Sequence, residues 1–522
     1  MRYCNFCHLC YDVIEKNIRI QIPDHFSALR KQSMKYGQFF SRFIRIKIRD
    51  CYGKKELTLG KIEEMGLSKK AIIINAIMIL AGFMGVLNQT LLTPALPSIM
   101  KEMHVDASTA QWLTTGYMLV NGIMVPVTAF LIDRFTTRRL FFVAMGMFTA
   151  GTFTAAISSE FAVVMLARVL QAAGCGIMMP MGQVLMLLTL PRHLRGTGMG
   201  MIGIVFGVAP CVGPVVAGVV IDAFNWHMLF YGLTPLTILT MVIAFFYLDN
   251  FGEPKDVHLD IPSVIMSTLG FGGLLYCFST IGSAGFNEVV LVSFIVGAIS
   301  LFLFVRRQLA MKEPFLKIDL LKQRTFAMST ALTMLVQAAI LMGGILMPIY
   351  VQTLRGFSAT VSSLVMLPSA ILSACMSPIS GSLFDKHGAR KLAIPGLAMA
   401  VAATLMLSVL SEDTPLAYIA IAYCIRIAGL SLVNMPLNTW GLNSLDNSVM
   451  SHGTAIGNTF RNAAGSLGTA IFITVMSVSI ALAPNPGAID VQINGINYAY
   501  FGGALTLILA FVLTILFVKD ER

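Results

Sequence analysis

Residues 129–140 read AFLIDRFTTRRL, and residues 381–392 read GSLFDKHGARKL. In each copy an apolar run ends on an aspartate, Asp133 or Asp385. A basic pair, Arg138 and Arg139 or Arg390 and Lys391, then opens the next apolar run, and Arg134 directly follows the first aspartate. The surroundings keep step. Pro94 precedes Asp133 by 39 residues and Pro348 precedes Asp385 by 37, while Gly213 and Gly465 each follow their aspartate by 80. The set predicts a chain of two related halves. Parallel halves of this kind are a transporter architecture, with the substrate site between them near mid-membrane.

Composition gives the medium. Of 522 residues, 56% are hydrophobic and 12% charged, half the charge of an average soluble domain. Soluble, disordered and small disulfide-rich classes are excluded. A bilayer-spanning helix needs about 20 apolar residues. Fourteen stretches qualify, at 71–91, 108–132, 139–158, 161–188, 197–222, 228–249, 262–281, 288–305, 326–352, 359–384, 391–410, 415–441, 453–483 and 496–518. The expected fold is an all-α integral membrane protein with two pseudo-symmetric six-helix halves plus two inserted helices. Residues 1–69 form a cytoplasmic N-terminal extension, 70–250 the first half, and 251–310 the inserted pair. A basic cytoplasmic loop follows at 311–325, and the second half spans 326–522.

The net charge of +11 would by itself suggest a nucleic-acid or anionic partner. Its placement argues otherwise. Residues 1–70 hold 15 of the 37 Lys and Arg residues. Loops after even-numbered spans, with the C-terminal tail, hold 17, whereas the opposite loops hold only Lys101 and Arg355. The positive-inside rule therefore puts both termini in the cytoplasm. Nucleic acid is not an expected partner; the lipid bilayer is.

The remaining three cations, Arg168, Arg426 and Arg461, lie inside spans, where no acid sits deep. A charge at the bilayer centre costs at least about 2.5–3.5 kcal/mol, so it faces protein or a watery cavity. Helical spacing groups polar neighbours with these arginines. Arg168 and Gln171 stand at i, i+3; Asn458, Arg461, Asn462 and Gly465 form one stripe; Asn434 with Asn438, and Tyr117 with Asn121, share faces. They are candidates to line a central cavity, with helix-to-helix hydrogen bonding an equal alternative for the asparagines. The 33 methionines fit a promiscuous lining or simple core filling.

The N-terminal stretch reads differently. Cys4, Cys7 and Cys10 surround His8, but only Cys51 follows before the first span, so a zinc site lacks its second ligand pair. SRFIRIKIRD could lie on anionic headgroups. Alternatively residues 1–64 precede the native chain, with Met65 as the working start. No metal and no cofactor is expected.

These motifs together resemble the major facilitator superfamily, and within it the fourteen-helix drug:proton antiporter branch of bacterial multidrug exporters. The resemblance covers about residues 70–518. The GxxxDxxGxRK signature is complete from Gly381 to Lys391 and degraded in the first copy, where Ala129 and Thr136 replace glycines. GVAPCVGPVVAG in span 5 is similar to the antiporter motif, giving Gly207, Pro210, Gly213, Pro214 and Gly218. ARVLQAAGCG is similar to the RxxQG pattern, and LNQTLLTPALP, QWLTTGYML and NTFRNAAGSLG resemble branch signatures. Asn88 stands where many members carry aspartate.

The resemblance implies a role for each group. The repeated loops would form a cytoplasmic latch between the halves, and Arg168 would take part in proton coupling with Gln171, Arg426 and Arg461. The span-5 motif would serve as hinge or tight seal. The implied function is proton-driven export of amphiphilic drugs across a bacterial cytoplasmic membrane, with protons and small amphiphilic molecules as partners of a chain acting as a monomer. Buried cations without deep acids favour neutral or anionic compounds over dications. The alternative is export of an endogenous anionic metabolite or signalling nucleotide. An enzyme is not expected, since neither GxxxxGK[ST] nor HExxH occurs.

Overall fold

A chain inside lipid must satisfy its backbone polar groups internally, so each apolar run is expected to coil into a helix. The computed structural model describes residues 69–250, 260–284, 287–311, 314, 316–357 and 359–519. The expectations for residues 1–64 lie outside the described residues. Among the latter there is no strand, and each expected span is one long helix. The first half comprises α1 (Lys69–Leu91), α2 (Ala107–Arg134), α3 (Thr137–Ile157), α4 (Phe161–Thr189), α5 (Arg195–Ala223) and α6 (His227–Tyr247). The inserted pair is α7 (Ile261–Ala284) and α8 (Glu288–Ala310). The second half comprises α9 (Arg324–Pro348), α10 (Ala359–His387), α11 (Arg390–Met406), α12 (Leu416–Asn443), α13 (Met450–Ala481) and α14 (Ile489–Phe517). Eleven helices among the described residues are long and apolar enough to cross a membrane. Their outer faces are apolar as well; α8 exposes Val289, Val292 and Phe302, surface suited to lipid rather than water.

Helix ends differ from the expected spans where local chemistry intervenes. α14 begins seven residues before the expected 496, because its first turns are polar yet still helical. Span 9 continues past Pro348 as a single wide π turn, Ile349–Leu354. α11 stops at Met406, short of the expected 410. A short helix, Leu96–Met103, sits between α1 and α2 and ends on His104 in the left-handed region. Glu102 on this helix accepts a 2.7 Å hydrogen bond from Trp226 Nε1, tying it to the start of α6.

The two signature loops turn differently. α10 ends on Gly388 at φ 80°, a conformation that favours glycine, with its N–H returned to Phe384 O at 2.9 Å. Thr136, at the matching place, is extended and instead caps α3 by accepting from the Arg139 N–H. The degraded first copy therefore makes an N-cap where the second makes a glycine C-cap.

The halves meet along two seams. At one, α5 packs on α10; at the other, α2 packs on α13, with α7 lying against both. The α5–α10 seam is backbone on backbone. A Cβ on Gly381 would overlap the Gly196 carbonyl, one on Gly200 would stand 2.6 Å from Ser377 O, and one on Gly207 would stand 3.0 Å from Ala374 Cα. Farther along α5 the relation changes: Gly213 faces Thr90 of its own half, and no described atom lies within 4 Å of a Cβ at Gly218. The halves are thus closed at the end that carries Asp133 and Asp385.

Candidate functional site

Asp385, in the last turn of α10, reaches across to the first turn of α5. It accepts from Gly196 N (2.8 Å), Thr197 N (2.7 Å) and Thr197 Oγ1 (2.6 Å). Backbone N–H groups in a helix's first turn lack intrahelical acceptors and carry the positive end of the helix dipole, so a carboxylate fits there. Asp133, in the last turn of α2, makes the mirror contact with the first turn of α13. It accepts from Ser451 Oγ at 2.7 Å, and His452 Nε2 lies 3.3 Å away. Each half offers a carboxylate to a helix start in the other.

The sequence grouped these carboxylates with the neighbouring basic residues and the next helix start, without saying which groups pair. Two of those residues bond within their own halves: Arg138 donates to Phe245 O (2.8 Å) on α6, and Arg390 to Ile515 O (3.2 Å) on α14. Arg134, Arg139 and Lys391 are exposed at the same end. A third tie was missed. Arg195, 3% exposed, donates to Asn443 Oδ1 (3.3 Å) and Asn447 Oδ1 (3.0 Å), joining α5 to the end of α12.

Arg168, Gln171, Asn88 and Tyr117 come together inside the first half. The guanidinium donates to Leu113 O (3.1 Å), Asn88 Oδ1 (3.3 Å) and Gln171 Oε1 (2.8 Å). It lies 4.2 Å from the Tyr117 ring centroid, and Tyr117 donates to Gly85 O. Gln171 passes the chain to Thr152. Arg168 is fully buried, so neutral dipoles from α1, α2 and α4 compensate its charge without a carboxylate. Asn121, half-buried one turn beyond Tyr117, backs against Gly176 of α4.

The span-13 stripe reaches the other half. Arg461 Nη2 donates to Asn458 Oδ1 (2.9 Å), and Asn458 Nδ2 donates to Gln183 Oε1 (2.9 Å) on α4. Gln183 was not picked out from sequence, because one polar residue in an apolar run has no periodic partner. A Cβ on Gly457 of α13 would stand 3.8 Å from Asn438 Oδ1. Arg461 Nη1, Asn438 Nδ2 and Asn434 Oδ1 are buried without a hydrogen-bond partner. Asn462 is exposed, and Gly465 instead packs on Leu341 of α9.

Arg426 stands apart. It is buried between α12 and α9, donates to Ala339 O, and depends on Gly343, where any Cβ would overlap its guanidinium. Of the span-5 motif, Gly207 belongs to the tight seam; the side chains of Pro210 and Pro214 lie outside the described residues. A narrow cleft between α1, α4 and α5 is lined partly by Met78, Met178, Met179 and Met186. Among the described residues no three His, Cys, Asp or Glu side chains gather into a metal-binding group.

Known proteins agree with this architecture. A sequence profile described as Major Facilitator Superfamily matches residues 78–469. The uncharacterized MFS-type transporter YcnB of Bacillus subtilis (strain 168) is 40% identical over 462 residues, covering 88% of this chain and 98% of that protein. Lincomycin resistance protein LmrB of Listeria monocytogenes serovar 1/2a is 40% identical over 413 residues, covering 79% of this chain and 88% of that protein. The structure of the proton:xylose symporter XylE bound to 6-bromo-6-deoxy-D-glucose superposes with a TM-score of 0.61 at 13% identity, covering 87% of this chain and 96% of that one, a likeness of fold alone. With two related halves, crossed carboxylates and these relatives, the chain belongs to the Major Facilitator Superfamily, as a multi-pass membrane transporter.

Proposed function

We propose that the chain is a proton-driven exporter of amphiphilic small molecules in a bacterial cytoplasmic membrane, of the fourteen-helix drug:proton antiporter branch. Both termini face the cytoplasm in this reading, so the closed end is the cytoplasmic one. The observation that carries it is the pair of crossed clasps. Each is a reversible, charge-assisted contact between halves, the kind of bond alternating access must break and remake. Similarity to a protein named for lincomycin resistance supports a drug substrate.

Substrate would bind between the halves, against the Gln183–Asn458–Arg461 chain. Arg461 Nη1 and Asn438 Nδ2 offer unpartnered donors there, and Asn434 Oδ1 an unpartnered acceptor. A neutral or anionic compound with carbonyl, hydroxyl or carboxylate groups suits that set better than a dication. Arg168 stays protonated and so cannot carry the proton itself. Its place is to hold Asn88, Gln171 and Tyr117 as one unit. The donor-rich setting of Arg461 also favours a second reading, export of an endogenous anionic metabolite.

Everted vesicles test both. Lincomycin and a panel of neutral, anionic and dicationic compounds are offered with and without a protonophore. Protonophore-sensitive accumulation of neutral or anionic compounds is expected. Accumulation unaffected by the protonophore, or a preference for dications, overturns the proposal. Anionic metabolites appearing in the medium only when the chain is expressed, without drug uptake by vesicles, would favour the second reading.

A further inference from the structure

The inserted pair α7–α8 has no counterpart in the two-half plan, yet it touches both halves. The pair is one body. A Cβ on Gly273 would stand 2.8 Å from Ser293 O, and one on Gly297 would stand 2.9 Å from Leu274 N, so the two backbones are in contact. At the clasp end the two helices are tied to each other and, through Gln308, to the segment leading into α9. Arg307 grips Asp260 with two hydrogen bonds, Nε to Oδ2 at 2.7 Å and Nη2 to Oδ1 at 2.8 Å. Gln308 Nε2 donates to Ser263 Oγ at 2.6 Å, and Gln308 Oε1 accepts from Leu316 N at 2.9 Å. Ser263, Gln308 and Leu316 are all buried.

At the other end α7 is fastened to α2. The Tyr276 and Trp112 rings stack at 5.7 Å and 17°. Farther along α2, a Cβ on Gly122 would stand 2.6 Å from Leu275 Cδ1, and one on Gly272 would stand 3.1 Å from Ile123 Cδ1. Tyr276 lies about 24 Å along the helix from Asp260, at about 1.5 Å per residue. Between the two fastenings, Phe271 and Phe304 meet edge-on at 6.2 Å. Both join an apolar cluster that includes Phe130 of α2, Met199 of α5, Phe326 of α9 and Ile456 of α13.

We propose that α7–α8 is a strut laid along the α2–α13 seam, with its clasp end moving with the second half and its far end hinged on α2. When the clasps open, Phe271 moves away from Phe130, a member of the same apolar cluster, while Tyr276 stays on Trp112. The seam remains covered by protein rather than lipid in both states. This rests on the alternating-access reading above.

Cysteine pairs in a cysteine-depleted, reconstituted chain test it, joined by a short cleavable crosslinker. Linking positions 112 and 276 is expected to leave transport within about twofold of the unlinked protein. Linking positions 130 and 271 is expected to lower it at least about tenfold, with recovery on cleavage. Arrest by the 112–276 link, or no effect of the 130–271 link, overturns the strut. Crosslinking yield gives a readout independent of transport. Adding Asp133→Asn and Asp385→Asn to open the clasps should lower the 130–271 yield several-fold and leave the 112–276 yield unchanged. The reverse pattern, or equal yields, overturns the strut even if the transport reading itself fails for lack of uptake by the unlinked protein.

Discussion

At the scale of single residues, the clasp carboxylates are the groups on which the cycle turns. Asp385 accepts three hydrogen bonds from α5 at 2.6–2.8 Å. An asparagine there keeps one good acceptor and brings donors against N–H groups. The loss of bonds to a charged group is worth about 2 kcal/mol, or roughly thirtyfold in the balance between closed and open. A cysteine at Asn458, which is 7% exposed behind the clasps, should therefore react faster with a membrane-impermeant maleimide in Asp385→Asn. Equal labelling rates would contradict a latch role. Arg168 makes a different prediction. It serves acceptors on α1, α2 and α4 in a fixed fork while lying over Tyr117, and lysine offers a single point of donation. Arg168→Lys should insert normally yet transport at least about tenfold more slowly, as read in the same vesicles.

Asp260 gives a prediction in pH. Hydrogen bonds from Arg307 hold its carboxyl down to about 2, below the usual carboxylate range. The stabilisation from this pair is thus complete above the ordinary carboxylate pKa and is lost only as pH falls through about 2. Hydrogen exchange in the first turn of α7 should show protection that is unchanged between pH 5 and 8 and falls in Asp260→Asn. Protection that fades across pH 5–8 in the native chain would contradict this.

At the scale of elements, the α5–α10 seam depends on the absence of side chains. Gly196 and Gly200 face α10 at distances that no Cβ tolerates, and Gly207 at one that a Cβ meets only if its neighbour gives way. Gly200→Leu should hold the seam apart and shift the chain toward the open state, seen as faster labelling at the same Asn458 position. Much of this level was legible in the sequence. Apolar runs set the helices, and the repeated aspartate loops set the halves and located both clasp carboxylates. Their partners were not legible, because Thr197 lies 188 residues from Asp385 and Ser451 lies 318 from Asp133. Helical periodicity says which face a residue takes, and it carries no information on which distant helix start will meet it. Arg195 was hidden for a related reason: in a basic loop it reads as a topology signal. The arginines of spans 4, 12 and 13 were legible as exceptional. That they occupy three separate settings was not, since a lone charge in an apolar run names no neighbour.

At the scale of the whole molecule, two halves are closed at one end by crossed carboxylates, with a glycine seam on one side and the inserted pair on the other. Transport by this arrangement requires movement between closed and open. The most direct measurement is a distance distribution between spin labels at Arg139 and Lys391, exposed positions in the two signature loops. Reconstituted protein would be measured with and without a transported compound, and again with Asp133→Asn plus Asp385→Asn. A short distance is expected for the resting protein. A second, longer population should grow with the compound and dominate in the double variant. A single distance, unmoved by the compound and by loss of both carboxylates, would contradict that movement.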